Sequence, residues 1–275
     1  MEISEAVLKR KGARRTSEIP NEILMYLQNG QIESVNLIEW QAVNHQSLLR
    51  SILPSFKLEE NLTFVLSEME KENAETGMKA IRTASQLLDT VLENESNEKR
   101  QDLLTNWAIH TSDSVRCWAA FMNKSSNQTL EEKLLYIQPF AADHHFGVRE
   151  IAWMSIREYL SAEIEKSIGL LTEWASSPDE NIRRFAVESI RPRGVWTKHI
   201  DKLKQAPNLA LPILNLLKAD PSKYVQDSVG NWLNDASKTQ PEWVLDLCEK
   251  WAQESNLQAT NKIIKKAKRT LMKNN

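Results

Sequence analysis

Arg191-Pro-Arg-Gly-Val-Trp196 gathers two guanidinium groups, a permissive glycine and an indole within six residues. A guanidinium pair beside a flat aromatic suits an anionic, flat-faced ligand, and nucleic acid is the first such ligand to consider. Carboxylates occur elsewhere. Asp227, Asn231 and Asp235 recur at four-residue steps and so share one broad helical stripe, which by itself is an ordinary polar surface. Glu150, from its position alone, reads as a solvated helix acid or an ion-pair partner of Arg149 or Arg184. His144-His145 invites a metal reading, but no Asp, Glu or Cys stands at ligand spacing, and the pair fits a turn or helix start better. Cys117 and Cys248 have no ligand-like spacing and read as small core hydrophobes.

These residues need elements to position them, and the elements read as helices. Ile182, Phe185, Ala186, Ser189 and Ile190 fall at helical spacing, and Pro192 should stop that helix at Arg191. Seven glycines in 275 residues, with abundant Leu, Ala, Glu, Lys and Gln, favour helix throughout, and no two glycines can build a phosphate-cradling loop. The chain therefore reads as all-α. Ile19 to Leu53 reads as two helices broken near Asn29-Gly30, and 57–104 as two or three acidic helices with a polar break at Asn94–Asn97.

From residue 103 a repeat is visible. Val115, Val148, Ile182 and Val225 are β-branched anchors spaced 33, 34 and 43 residues apart. Arginine follows three of them, and alanine stands four positions beyond the same three. An acidic turn followed by Val/Ile-Arg-x-x-Ala resembles HEAT-type repeats, in which paired helices stack into a curved α-α superhelix with a concave binding face. The expected layout is one HEAT-like domain over 1–275, with 1–102 as helical scaffold and 103–275 carrying the active face. The insertion at Arg191–Trp196 accounts for the longer last interval, and Trp251 with the basic helix after Gln258 would cap the array.

Composition narrows the setting. A net charge of −2 argues against bulk electrostatic binding to DNA, yet the charge is unevenly spread. Residues 59–102 carry eleven acids against five bases, whereas 144–275 carry twenty Lys and Arg against sixteen acids. The arm over 1–16 holds Lys9, Arg10, Lys11, Arg14 and Arg15; it reads either as solvated basic chain or as an arm following a phosphate backbone. No signal peptide and no 18-residue apolar run is seen, so the expected setting is cytoplasmic.

A family resemblance sharpens the reading. Phe146-Gly-Val-Arg-Glu150, Arg183-Arg184, Arg191-Pro-Arg-Gly-Val-Trp196, Asp220-Pro-Ser-Lys-Tyr-Val225 and Ser228-Val-Gly-Asn-Trp-Leu-Asn-Asp-Ala-Ser-Lys238 look like the AlkC branch of the AlkC/AlkD alkylpurine DNA glycosylases. Lys11-Gly-Ala-Arg-Arg15, Ile19-Pro20, Glu39-Trp40 and Lys268-Arg-Thr-Leu-Met-Lys273 resemble it too. The resemblance covers nearly the whole chain and is densest over 146–238. It implies double-stranded DNA on the concave face and hydrolysis of the N-glycosidic bond of a cationic, N-methylated base, without turning that base into a protein pocket.

By the same analogy Glu150, Trp196 and Asp235 take the catalytic positions. Arg149, Arg183, Arg184, Arg191 and Arg193 are candidates for phosphate contact, Arg191 and Arg193 before the rest. Arginines at the positions of Arg149 and Arg183 often hold neighbouring turns together instead. No cofactor, metal or membrane is expected, and a solenoid with polar faces is expected to be a monomer. Relatives of this branch often continue into an immunoglobulin-like β-domain, whereas this sequence stops at the basic helix, so affinity or substrate scope is expected to differ. The rival expectation is a non-catalytic HEAT-like module binding DNA structures or a protein partner.

Overall fold

The computed structural model describes residues 3–122, 128–194 and 197–273, and among these it contains helices and no strand. Two compact units can be distinguished: Met1–Ser125 with His144–Ala152, and Ser126–Asp143 with Trp153–Asn275. The long helix Phe146–Ala162 contributes its first turns to the former and the remainder to the latter.

In the first unit the stretch expected to hold two helices holds three, Asn21–Gln28, Leu37–Ala42 and His45–Ser55. Gly30 sits at φ +69° where the break was read, a left-handed conformation that favours glycine. The extra division comes from side-chain caps, since Asn36 accepts from Glu39 N–H and Asn44 from Ser47 N–H, each satisfying an orphan donor of a new helix. Leu62–Lys71, Gly77–Glu93 and Asn97–Ala108 follow, the last capped by Ser96. The Asp113–Phe121 helix lies wholly inside the unit, its nine residues all buried.

The repeat anchors are core residues. Val115, Val148 and Val225 are fully buried and Ile182 nearly so, with Ala119, Ala152, Ala186 and Val229 packed behind them. Burying each anchor stabilises by roughly 1.5–3 kcal/mol. Cys117 and Cys248 are buried thiols, and burial pushes the Cys248 thiol up to about 11. Trp107, Trp232 and Trp251 are buried, while Trp174 is half-buried with its ring centroid 5.1 Å from that of Phe185.

In the second unit the Glu180–Glu188 helix, capped by Asp179, ends three residues before Arg191. Proline is not the whole reason. The next carbonyls have partners that a continuing helix would exclude: Ser189 O and Arg191 O accept from the buried Arg157 guanidinium, and Ile190 O accepts from Trp232 Nε1 at 3.1 Å. Beyond the Arg191–Gly194 turn, Lys223–Ala236, capped by Ser222, carries Asp235, and Gln258–Ala267 packs against it. At Gly230 an added Cβ would come within 2.7 Å of the Lys266 side chain, which explains a glycine inside that helix.

Candidate functional site

The residue after each repeat anchor does the same job four times. Arg116 donates to His110 O and Thr111 O at 2.6 and 3.1 Å, and Arg149 donates to His144 O at 2.8 Å. Arg183 donates to Ser177 O and Pro178 O at 3.0 and 2.9 Å, and Gln226 to Asp220 O and Pro221 O at 2.8 and 3.4 Å. Each side chain folds back five or six residues and clasps the turn that precedes its helix. A neutral amide serves as well as a guanidinium, so Gln226 keeps the repeat function while lacking the charge. Two of the arginines add an acid: Arg116 pairs with Glu33, and Arg183 forms a two-pronged bond to Asp220 at 2.7 and 3.1 Å.

Asp235 is buried, and its carboxylate is engaged on both oxygens. Oδ2 accepts from Arg191 Nε and Nη2 at 3.0 and 2.6 Å, and Oδ1 accepts from Lys238 Nζ at 3.0 Å. Arg193 Nε donates to the Asp235 carbonyl at 3.3 Å. Arg191 also reaches back to Glu188 Oε1 at 2.8 Å, so its guanidinium bridges two carboxylates. The Arg184 guanidinium lies 3.7 Å from Glu188 and 4.0 Å from the centroid of the Tyr224 ring. Burial pushes the Glu188 carboxyl up, but Arg184, Arg191 and the Ser228 hydroxyl outweigh it and hold it below the usual carboxylate range. Burial lowers the Arg191 guanidinium, yet Glu188 and Asp235 outweigh that and raise it.

Arg157 and Glu188 are parts of this cluster that sequence reasoning missed. Arg157, 2% exposed, donates to Ser189 O, Arg191 O and Lys198 O at 2.7, 2.5 and 3.2 Å, and so holds both limbs of the turn. Burial first, and then the neighbouring Arg191 charge, bring its guanidinium down to about 10, still fully charged at neutral pH. Gly194 belongs to this brace, since an added Cβ would lie 1.9 Å from Thr197 Oγ1 and 3.2 Å from Arg157 Nε. Glu188 was legible in principle, at four- and three-residue steps from Arg184 and Arg191. Arg157 was not, since its partners lie 32, 34 and 41 residues away.

The structure thus brings Arg184, Arg191, Arg193 and Asp235 together and sends Arg183 to the Asp220 turn. Arg149 and Glu150 lie half-buried in the first unit, near the start of the Phe146–Ala162 helix. Trp196 lies outside the described residues. His145 starts that helix: its Nδ1 accepts from Gly147 N–H at 3.2 Å, and its Nε2 lies 2.7 Å from Ser34 O. Among the described residues no cluster of three His, Cys, Asp or Glu could hold a metal ion, and no helix is long and apolar enough to cross a membrane.

Clasped turns, paired helices and an arginine-rich turn over a buried carboxylate define an all-α protein of the HEAT-like helical-repeat class. Two solved structures share the fold. An alkylpurine DNA glycosylase AlkC from Pseudomonas fluorescens, bound to DNA containing an abasic-site analogue, superposes with TM-score 0.67 at 24% identity, over 95% of this chain and 66% of that one. AlkD2 from Streptococcus mutans superposes with TM-score 0.57 at 27% identity, over 75% of this chain and 97% of that one. Residues 150–271, somewhat under half of the chain, match the family model described as DNA alkylation repair enzyme. A curated relative, the uncharacterized protein YhaZ of Bacillus subtilis, is 42% identical over 143 residues, which is 52% of this chain and 38% of the relative. The chain thus spans well under half of that relative and about two thirds of the AlkC chain.

Proposed function

We propose that the protein is a DNA glycosylase that excises positively charged N-alkylated bases of the N3-methylated class from double-stranded DNA. The observation that supports this most is the Arg191–Gly194 turn, braced from beneath by Arg157 and tied by Arg191 to the carboxylate of Asp235. It sets cations able to meet a polyanion beside a carboxylate able to oppose positive charge developing on a sugar. The alkylated base is already cationic. When its glycosidic bond breaks, the bonding pair leaves with the base and neutralises it, so no strong general acid is needed. The sugar carbon gains oxocarbenium character, and water adds there as a carboxylate takes its proton.

In this reading Glu150 and Asp235 supply the carboxylate roles, and Trp196 presents an indole face worth about 0.5–2 kcal/mol as a cation–π contact. Arg184, Arg191 and Arg193 meet phosphates. Arg149 and Arg183 divide between phosphate and the turns that they clasp. The reading needs no cofactor and places the protein in the cytoplasm as a monomer.

The test is release of free base from DNA methylated at random, with the liberated species identified by mass. Release of N3-methylated bases that falls by two or more orders of magnitude in Glu150→Gln supports the reading. Asp235→Asn should fall as far, but it also loosens Arg191 and Lys238, so its rate must be compared under conditions where its unfolding curve shows it folded. No release from protein that still binds DNA in a salt-sensitive way would leave the non-catalytic binder.

A further inference from the structure

We infer that Lys11, Arg14 and Arg15 form a pre-organised contact site for the phosphate backbone of duplex DNA, built onto the part of the fold that carries Glu150. This inference rests on the proposal that the ligand is DNA, and it adds a site remote in sequence from the repeat arginines.

The loop is held by side-chain hydrogen bonds at several points. Arg10 is turned inward and makes four hydrogen bonds: to Glu39 Oε1 and Oε2 at 3.0 and 2.6 Å, to Val7 O at 2.8 Å and to Glu33 O at 2.7 Å. Glu39 is 1% exposed and also accepts from Val35 N–H, so this ion pair is shielded from solvent. Asn36 donates to Ala13 O at 2.8 Å. Gly12 is required twice over, because its φ is +72° and an added Cβ would lie 2.4 Å from Asn36 Nδ2.

A largely enclosed arginine, a buried glutamate and a left-handed glycine are thus committed to fixing a loop whose one apolar side chain is the methyl of Ala13. What the loop displays instead is Lys11, Arg14 and Arg15, all exposed. Among the described residues the one ion pair made by these three is Arg15 with Glu18 at 3.9 Å, exposed on both sides and worth little in water. Three adjacent cations on a rigid support lose little entropy on meeting a polyanion, which is the economy of pre-organisation. The repeat arginines are poorer candidates, since Arg116 and Arg183 already spend their donors on turns and acids.

The segment that holds the loop also holds the helix bearing Glu150. Glu33 lies 2.7 Å from His144 Nε2, Ser34 O lies 2.7 Å from His145 Nε2, and Trp40 makes an edge contact with Phe146, 6.3 Å between ring centroids. Trp40 Nε1 leaves no room for a Cβ at Gly147, 2.7 Å away. Residues 33–40 therefore fix the cationic loop on one side and the first turn of the Phe146–Ala162 helix on the other. A phosphate held at the loop is thereby placed in a fixed relation to Glu150.

The experiment is a salt titration of binding to an undamaged duplex by fluorescence anisotropy, with wild type and a Lys11→Gln/Arg14→Gln/Arg15→Gln variant. Each phosphate contact contributes a slope of about 0.9 in log K against log salt. The variant should lose about two to three from that slope and bind at least tenfold more weakly at low salt, with its unfolding curve unchanged. A control removing three exposed cations elsewhere, Lys71→Gln/Lys79→Gln/Lys250→Gln, should keep the wild-type slope. Equal slopes in wild type and the loop variant, an equal loss in the control, or a wild type that does not bind duplex DNA would each overturn the site. Base release at saturating damaged DNA separates the two proposals: if the wild type releases no base, the glycosylase reading fails while the slope still decides the loop.

Discussion

At the scale of the residue, the decisive distinction is between arginines that clasp turns and those that surround a carboxylate. Gln226 performs the clasp with an amide, which turns the repeat into its own control. Arg183→Gln should keep the turn contact and lose only the Asp220 pair, costing about 1 kcal/mol, whereas Arg183→Leu leaves two carbonyls and Asp220 without their donor and should cost about 2–4 kcal/mol. Urea unfolding of the two variants checks this, and equal losses would show that the ion pair alone matters. Arg191 is a different case. Its guanidinium is shared between Glu188 and Asp235, so a phosphate that engages it competes with, or adds to, two carboxylates already in place.

At the scale of the element, the Arg191–Gly194 turn is a product of its supports rather than of its own sequence. Proline explains why the helix cannot run on, but Arg157 and Trp232 explain where the chain goes. Arg157→Met should cost about 3–5 kcal/mol, because the carbonyls of Ser189, Arg191 and Lys198 lose their donor together. The same variant should lose base release out of proportion to its remaining folded fraction. If denaturant midpoints move by less than the equivalent of 1 kcal/mol, the brace is not what holds the turn.

At the scale of the whole molecule, a chain of net charge −2 can bind a polyanion only if its cations are sorted, and here many are consumed internally. The fold also sets a pH limit. His45 is fully buried, accepts from Trp118 Nε1 at 3.1 Å, and burial lowers its imidazole to about 3. Since the native state keeps His45 neutral while the unfolded chain protonates it near 6.5, stability is unaffected above that pH and is lost as pH falls from about 6.5 toward 3. The slope from this one group is about 1.4 kcal/mol per pH unit. Unfolding free energies between pH 7 and 5 should decline accordingly, and His45→Gln, whose amide oxygen can still accept from Trp118, should flatten the decline by one proton.

The helical class, the repeat and its anchors were legible in the residues, because periodicity, caps and proline act within a few residues of where they stand. Val115, Val148, Ile182 and Val225 were legible for that reason, as was the break at Gly30. Residue type and spacing also pointed to Arg191 and Arg193, and motif resemblance to Asp235. The folded chain alone shows which arginines hold turns, that Arg157 and Glu188 support the arginine turn, and that Arg10 is turned inward while Lys11, Arg14 and Arg15 are displayed. The physical reason is distance along the chain: Arg157 finds its carbonyls 32 to 41 residues away, Arg10 finds Glu39 29 residues away, and Ser34 meets Asp113 and His145 79 and 111 residues away. No local pattern encodes such pairings, because each depends on how separate helices come to lie against one another.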